Sequence, residues 1–205
     1  MRKGSTAQHN GQRGRPREFD ADEALDRALT VFWRRGYEGA SLPELTKAMG
    51  ISRPSMYAAF GNKESLFRKA LDRYHARRAP WICAAMEKAT AREVVETLLR
   101  SAADALTQPG CPHGCLTVQG ALVCGDEAAS IREELNARRA AGEAELRRRL
   151  ERAVKEGDLP RKTDAADLAR YVATVARGMS VQAAGGATRK ELHRVVDMTM
   201  RAWPA

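Results

Sequence analysis

The chain has 205 residues, with 35 Lys and Arg against 26 Asp and Glu and 43% hydrophobic residues. That composition suits one or two globular domains with a real core. No apolar run approaches the roughly 18 residues that cross a bilayer, and the first residues lack the apolar stretch of a secretory signal. The expected location is therefore cytoplasmic, with the four cysteines reduced.

The charge is unevenly placed. Residues 1–78 carry 16 basic and 9 acidic side chains, whereas residues 79–205 carry 19 and 17. Residues 1–18 are rich in Gly, Arg and Gln with almost nothing to bury, so a disordered basic arm is expected there. From Asp20 the pattern turns helical, with Ala24, Leu25, Ala28, Leu29, Phe32 and Trp33 at three- and four-residue spacing, capped by Asp20 or Asp22 and ended by Gly36. Ser41-Leu42-Pro43-Glu44 reads as a capping box opening a second helix, which buries Leu45, Ala48 and Met49 and breaks at Gly50. Ser52 caps a third helix, about Arg53 to Phe60, and Gly61-Asn62 stops it. A long fourth helix then runs to about Lys88, with a bend expected near Pro80.

The rest is also helical. Arg92–Thr107 is followed by a loop at residues 108–114 and a short apolar helix, about Cys115–Cys124. A long charged helix, about Glu127–Glu156, has a sparse inner stripe of Ile131, Leu135, Leu146, Leu150 and Val154. Two apolar helices end the chain, about Asp164–Ala184 and Thr188–Trp203. No strand alternation or internal repeat is found. The expected fold is all-α, about nine helices: a three-helix helix-turn-helix domain over residues 19–66 and a helical domain over residues 67–205.

The second and third helices, joined by a Gly-Ile-Ser turn, have the form of a helix-turn-helix, whose second helix enters the DNA major groove. In the third helix Met56 and Phe60 point inward, leaving a face of small residues outside. Arg53 can fork onto guanine, Pro54 opens the helix, and Ser52 and Ser55 can donate to base or phosphate. Tyr57, at the edge of the buried stripe, can reach a phosphate. Ser41 and Lys63 stand at helix N-termini, where phosphates bind. Arg15 and Arg17 suit a minor groove. Each residue has a plainer reading: Ser41 as a cap, Tyr57 as core, Lys63 as a solvated charge, the arm as a solubilising tail. The excess of positive charge on the same segment favours DNA.

Phe32-Trp-Arg-Arg-Gly-Tyr37, Ser41-Leu-Pro-Glu-Leu45, Met49-Gly-Ile-Ser52 and Ser55-Met-Tyr-Ala-Ala-Phe-Gly-Asn-Lys63 together resemble the TetR family of one-component transcriptional regulators, over about residues 18–67. Family members often carry a His before the last Phe of the recognition helix, where this chain has Ala59. The resemblance implies a regulator, most simply a repressor, that binds palindromic operator DNA as a homodimer and is released by a small-molecule effector. It also implies that the last two helices pair with those of a second subunit. Residues 168–203 independently carry more apolar surface than two terminal helices of a monomer need, with Val172, Met179, Val195 and Met198 as candidate dimer contacts. A pocket is expected between the segments 92–107, 115–124 and 164–184, with Leu98, Ala102, Cys115, Leu122, Tyr171, Val175 and Met179 as candidate lining.

Cys111-Pro-His-Gly-Cys115 allows three readings. It can be a loop leading into a buried helix, with Cys115 and Cys124 as small core residues. Cys115, near a helix N-terminus, can be a reactive thiol, and by resemblance Gly114-Cys115-Leu116 matches a sequence that some related proteins use to sense oxidants or electrophiles. A metal or redox centre from Cys111, His113 and Cys115 lacks a standard spacing and an evident fourth ligand. With no acid–base pair, phosphate-cradling loop or strand scaffold, the expectation is no enzyme, no metal and no cofactor.

Overall fold

In the computed structural model, which describes residues 19–120, 125 and 128–204, the periodic apolar stretches become nine α-helices, and no strand occurs among the described residues. They are α1 (Ala21–Gly39), α2 (Leu42–Met49), α3 (Arg53–Phe60), α4 (Lys63–Met86), α5 (Ala91–Leu106), α6 (Leu116–Gln119), α7 (Ala129–Glu156), α8 (Ala165–Ala184) and α9 (Arg189–Arg201).

Short polar side chains set the helix starts. The Asp20, Ser41, Ser52 and Asn62 side chains accept from the first-turn amides of α1 to α4, satisfying donors that a helix leaves open. Two complete capping boxes close α5 and α9, at Thr90 with Glu93 and Thr188 with Glu191. The box expected at Ser41 is half made. Ser41 Oγ accepts from the Glu44 amide at 3.3 Å, but the Glu44 carboxylate turns to Arg35 instead.

Gly36 interrupts the helical backbone of α1, as its position suggests, with φ +70° and ψ −178°. A further helical turn to Gly39 follows the kink. The helix expected over residues 115–124 is a single turn, Leu116–Gln119, and residues 121–124, with Leu122 and Cys124, lie outside the described residues. So do residues 1–18, with Arg15 and Arg17, and the expected start of α7 at Glu127. α4 runs through Pro80 to Met86.

Two apolar cores organise the packing. The first gathers Leu29, Phe32, Leu45, Met56, Phe60, Phe67 and Tyr74 from α1 to α4, and Leu116, Ile131 and Leu135 from later in the chain complete it. Edge-to-face ring pairs tighten it, Phe32 with Phe67 at 5.0 Å and Trp33 with Tyr74 at 4.9 Å. The second gathers the inner faces of α5, α7, α8 and α9, with Trp81 and Met86 from the end of α4. α4 therefore belongs to both cores. Its early half is also tied to α1 through Arg73 and Arg77 on Asp26, and to α7 through Arg68 on Glu134 and Arg138 on Asp72. Burial pushes the Asp26 carboxyl up, but the two guanidiniums outweigh it and hold the pKa below the usual value.

The far end of α4 is fixed by one buried cation. Arg149 donates to the carbonyls of Met86, Lys88 and Ala89, which a helix C-terminus would otherwise leave unpaired. Replacing it strands three acceptors and opens a void. Arg149→Ala should therefore lower unfolding stability by about 2–4 kcal/mol. Arg147→Ala, which breaks an exposed pair with Glu151, should leave stability close to wild type. Urea unfolding of both variants at one protein concentration checks this, and equal midpoints would refute it.

Candidate DNA-binding face and central cavity

The helix-turn-helix is positioned from behind. Met56 and Phe60 of α3 are buried in the first core, with α3 packed on α2 and α4, and Gly50 makes the turn before α3 in the left-handed region, at φ +70°, which a glycine adopts without steric cost. The opposite face of α3 is open. Arg53 and Pro54 are exposed and Ser55 half-buried. The Ser52 and Ser55 hydroxyls lie 2.8 Å apart, and Ser52 also caps the helix. Tyr57 is 44% exposed rather than part of a buried stripe, and its ring lies 5.9 Å from the Arg53 guanidinium. Arg53 and Tyr57 thus form one projecting cation–aromatic unit. Ser41 is exposed as well as capping. Lys63 turns inward. Its ammonium sits 4.7 Å over the Tyr37 ring and 3.4 Å from the Glu38 carbonyl, and burial lowers its pKa against the opposing effect of Glu38.

The second feature is a cavity of about 570 Å³ bounded by α4, α5, α6, α7 and α8, within the roughly 300–1,000 Å³ usual for small-molecule sites. One part of the wall is apolar, with Trp81, Met86, Leu98, Ala102, Leu146 and Val172. Another is polar. Arg139 donates to the Thr117 carbonyl, and Thr117 Oγ1 lies 3.3 Å from His75 Nε2. Arg177 donates to the Arg139 carbonyl at 3.4 Å and pairs with Glu143. Burial first, then Arg138 and Arg78, hold the His75 pKa below its ordinary value. Cys115 lines the same region. Tyr74 Oη donates to its Sγ at 3.2 Å and accepts from Arg78 at 2.8 Å, while burial and then Cys115 push the Tyr74 pKa well above its ordinary value.

Of the residues expected in the pocket, Leu98, Ala102 and Cys115 line the cavity. Tyr171 does not; it is 43% exposed and borders a separate groove with Pro160 and Pro204. Val175 and Met179 pack in the second core beside the cavity. Leu122 lies outside the described residues. The expected dimer face also needs correction. Val172 and Met179 are 3% and 1% exposed within their own chain, because α8 turns them onto α5 and α7, whereas Val195 and Met198 are 41% and 62% exposed. The lining from α4 and α7 was missed, although Arg139 stands four residues after Leu135 on the inner stripe of α7. Among the described residues no group of three or more His, Cys, Asp or Glu is placed to hold a metal ion, and no helix is long and apolar enough to cross a membrane.

Comparison with known proteins places this geometry. The family model for bacterial regulatory proteins of the tetR family matches residues 24–70, and the tetracyclin repressor-like C-terminal domain matches residues 89–199. The HTH-type transcriptional repressor ComR of Escherichia coli K12 is 34% identical over 94% of this chain and 92% of its own length. Among solved structures, a cysteine mutant of the regulator CifR complexed with 26-bp double-strand operator DNA is 45% identical, with a TM-score of 0.90 over 93% of this chain and 100% of that one. The reduced form of E. coli NemR shares the fold at a TM-score of 0.72 and 20% identity, over 88% of this chain and 95% of that one.

Ser180 offers a direct check on the cavity wall. Its hydroxyl is buried, faces the cavity and has no hydrogen-bond partner among the described residues, whereas Thr107, Thr174 and Thr199 each turn back to the carbonyl four residues earlier. A buried hydroxyl without a partner costs about 1–3 kcal/mol. Ser180→Ala should thus raise stability by about 1 kcal/mol, read from thermal or urea unfolding, and a loss of stability would show that the hydroxyl is paired after all.

Proposed function

The chain belongs to the TetR family of transcriptional regulators, and from that premise we propose that it is a ligand-responsive repressor that binds palindromic operator DNA as a homodimer. The observation that carries this reading is the open face of α3, where Arg53 and Tyr57 project while Met56 and Phe60 hold the helix from behind. Arg53 reads a base edge, Tyr57, Ser41, Ser52 and Ser55 contact phosphate, and Pro54 keeps the approach close. Arg15 and Arg17 supply the adjacent minor-groove contacts. Lys63, held against Tyr37, serves mainly to fix α4 beside the DNA face. ComR is named a repressor and CifR is seen on operator DNA, which supports operator binding here.

The dimer reading rests on α8 and α9. Val181, Val195 and Met198 are 52%, 41% and 62% exposed, an apolar patch on neighbouring helices that a second copy would cover. Two helix-turn-helix units related by a two-fold axis then meet a palindrome, and their separation sets affinity.

The coupling to ligand runs through residues 114–120. This segment walls the cavity with Cys115, Thr117 and Val118, and it is bonded to α1, where Trp33 Nε1 donates to the Gly114 carbonyl at 3.2 Å and the Tyr37 amide to the Gly120 carbonyl at 2.9 Å. A ligand that favours one position of this segment shifts α1 and the α2–α3 pair packed on it. It acts only by its different affinity for the two arrangements.

DNA fragments selected by the purified protein should share a two-fold palindrome, with affinity that falls steeply as salt rises. Arg53→Ala should weaken binding by about tenfold or more, as expected for loss of a base contact of ~1–3 kcal/mol, without changing the melting temperature. Met198→Glu should sediment as a monomer and lose binding where wild type is saturated. Selection of unrelated sequences, with Arg53→Ala indistinguishable from wild type, would remove this reading.

A second reading makes the signal covalent. Cys115 lines the cavity and packs against both cores, so a group added at its Sγ would sit at the junction. An electrophile such as a quinone should then release DNA from wild type and not from Cys115→Ser. Equal release from both would leave the reversible ligand as the sole signal.

A further inference from the structure

The charges around the cavity are unequally satisfied, and this points to the ligand. Arg138 has carboxylate partners in Asp72 and Glu134, and Arg177 has one in Glu143. Arg139 has none. Its guanidinium reaches a backbone carbonyl and the Asn136 side-chain oxygen, and burial followed by the neighbouring Arg177 lowers its pKa. A half-buried guanidinium without a counter-charge, next to another cation, is a costly arrangement that an anion relieves. On the facing helix α8, one turn beyond Arg177, stands the unpartnered hydroxyl of Ser180, 1% exposed and lining the same cavity.

We propose that the cavity binds a small amphipathic monoanion: an apolar body carrying one carboxylate, with the carboxylate held by the Arg139 guanidinium and the Ser180 hydroxyl. The proposal rests on the reading of this cavity as the effector site. The apolar body lies against Trp81, Met86, Leu98 and Leu146. A single negative charge matches the one guanidinium offered at this wall, because Arg138 and Arg177 beside it are already paired with carboxylates. The planar fork of arginine matches the two oxygens of a carboxylate, and the serine supplies the further donor that a carboxylate oxygen accepts.

The test uses the full chain without DNA and two matched pairs of probes, decanoate with decanamide and 4-phenylbutyrate with 4-phenylbutanamide, titrated calorimetrically. Each carboxylate should bind about tenfold or more tighter than its amide, as expected for a charge-assisted pair in a partly dry site. Arg139→Gln should erase that preference while still binding the amides, which shows that the cavity is intact. Ser180→Ala should weaken each carboxylate by about threefold to tenfold, the loss of one hydrogen bond. Should Arg139→Gln bind neither member of a pair, Arg139→Lys replaces it, and a carboxylate preference kept there supports the charge while one lost there refutes it. Amides binding as well as carboxylates, a preference that survives Arg139→Gln, or no saturable binding of either carboxylate would each overturn the proposal. The same probes are then added to the protein on its selected DNA. Arg139-dependent binding without release of DNA would leave the ligand class standing and remove the regulatory reading instead.

Discussion

One short segment, Gly114 to Gly120, is shared by the two cores and the cavity between them. Leu116 is buried in the first core, Cys115 packs against both cores, and Thr117 and Val118 face the cavity. The segment has almost no helical stability of its own, since α6 is a single turn with no side-chain cap. It is held by its neighbours α1, α4, α7 and α8, and the kink at Gly36 makes the contact with α1 possible. A side chain there would be strained at φ +70° and would put its Cβ 3.2 Å from the Gly120 carbonyl. Glycine lets the chain turn and lets Tyr37 reach that carbonyl with its amide.

Tyr37 then becomes a junction. Its amide meets α6, its ring meets Phe67 at 5.3 Å and its face carries the Lys63 ammonium. α3 depends on the same assembly. Eight residues are too few for a helix to persist alone in water, and α3 is anchored by two buried side chains, Met56 and Phe60. The orientation of the exposed face of α3 is therefore inherited from α2 and α4, and through them from α1. This is why a change at the cavity wall, far from α3 in sequence, has a physical route to it.

The sequence made much of this legible because the relevant signals are local. Caps at Ser41, Ser52 and Asn62, the glycines at 36 and 50, and the 56/60 pair in α3 all act over one or two turns. What it hid is non-local. Val172 and Met179 read as surplus apolar residues on a terminal helix, but their direction depends on how α8 packs against α5 and α7, and periodicity along one helix does not give that. The capping box at Ser41 was half lost for the same reason, since Arg35 on another helix competes for Glu44. The cavity was assigned to α5, α6 and α8, while part of its wall comes from α4 and α7. A trace of it was present, because Arg139 and Gly142 interrupt the inner stripe of α7 between Leu135 and Leu146. A charged residue and a glycine in apolar register mark a place where the core is not filled.

The scale of the coupling follows from these contacts. A tenfold loss of DNA affinity needs about 1.4 kcal/mol of differential binding. Among the described residues two hydrogen bonds tie residues 114–120 to α1, each worth about 0.5–1.5 kcal/mol net, so losing both of them supplies that amount. The first core, with its edge-to-face rings and ion pairs between α1 and α4, is stronger than those two bonds and would move as a unit. These bonds thus lie between the cavity wall and the helices that carry the exposed face of α3. A ligand in the cavity needs to alter that connection without unfolding either core, and the polar part of the cavity wall is joined to the same segment, because Arg139 of α7 donates to the Thr117 carbonyl.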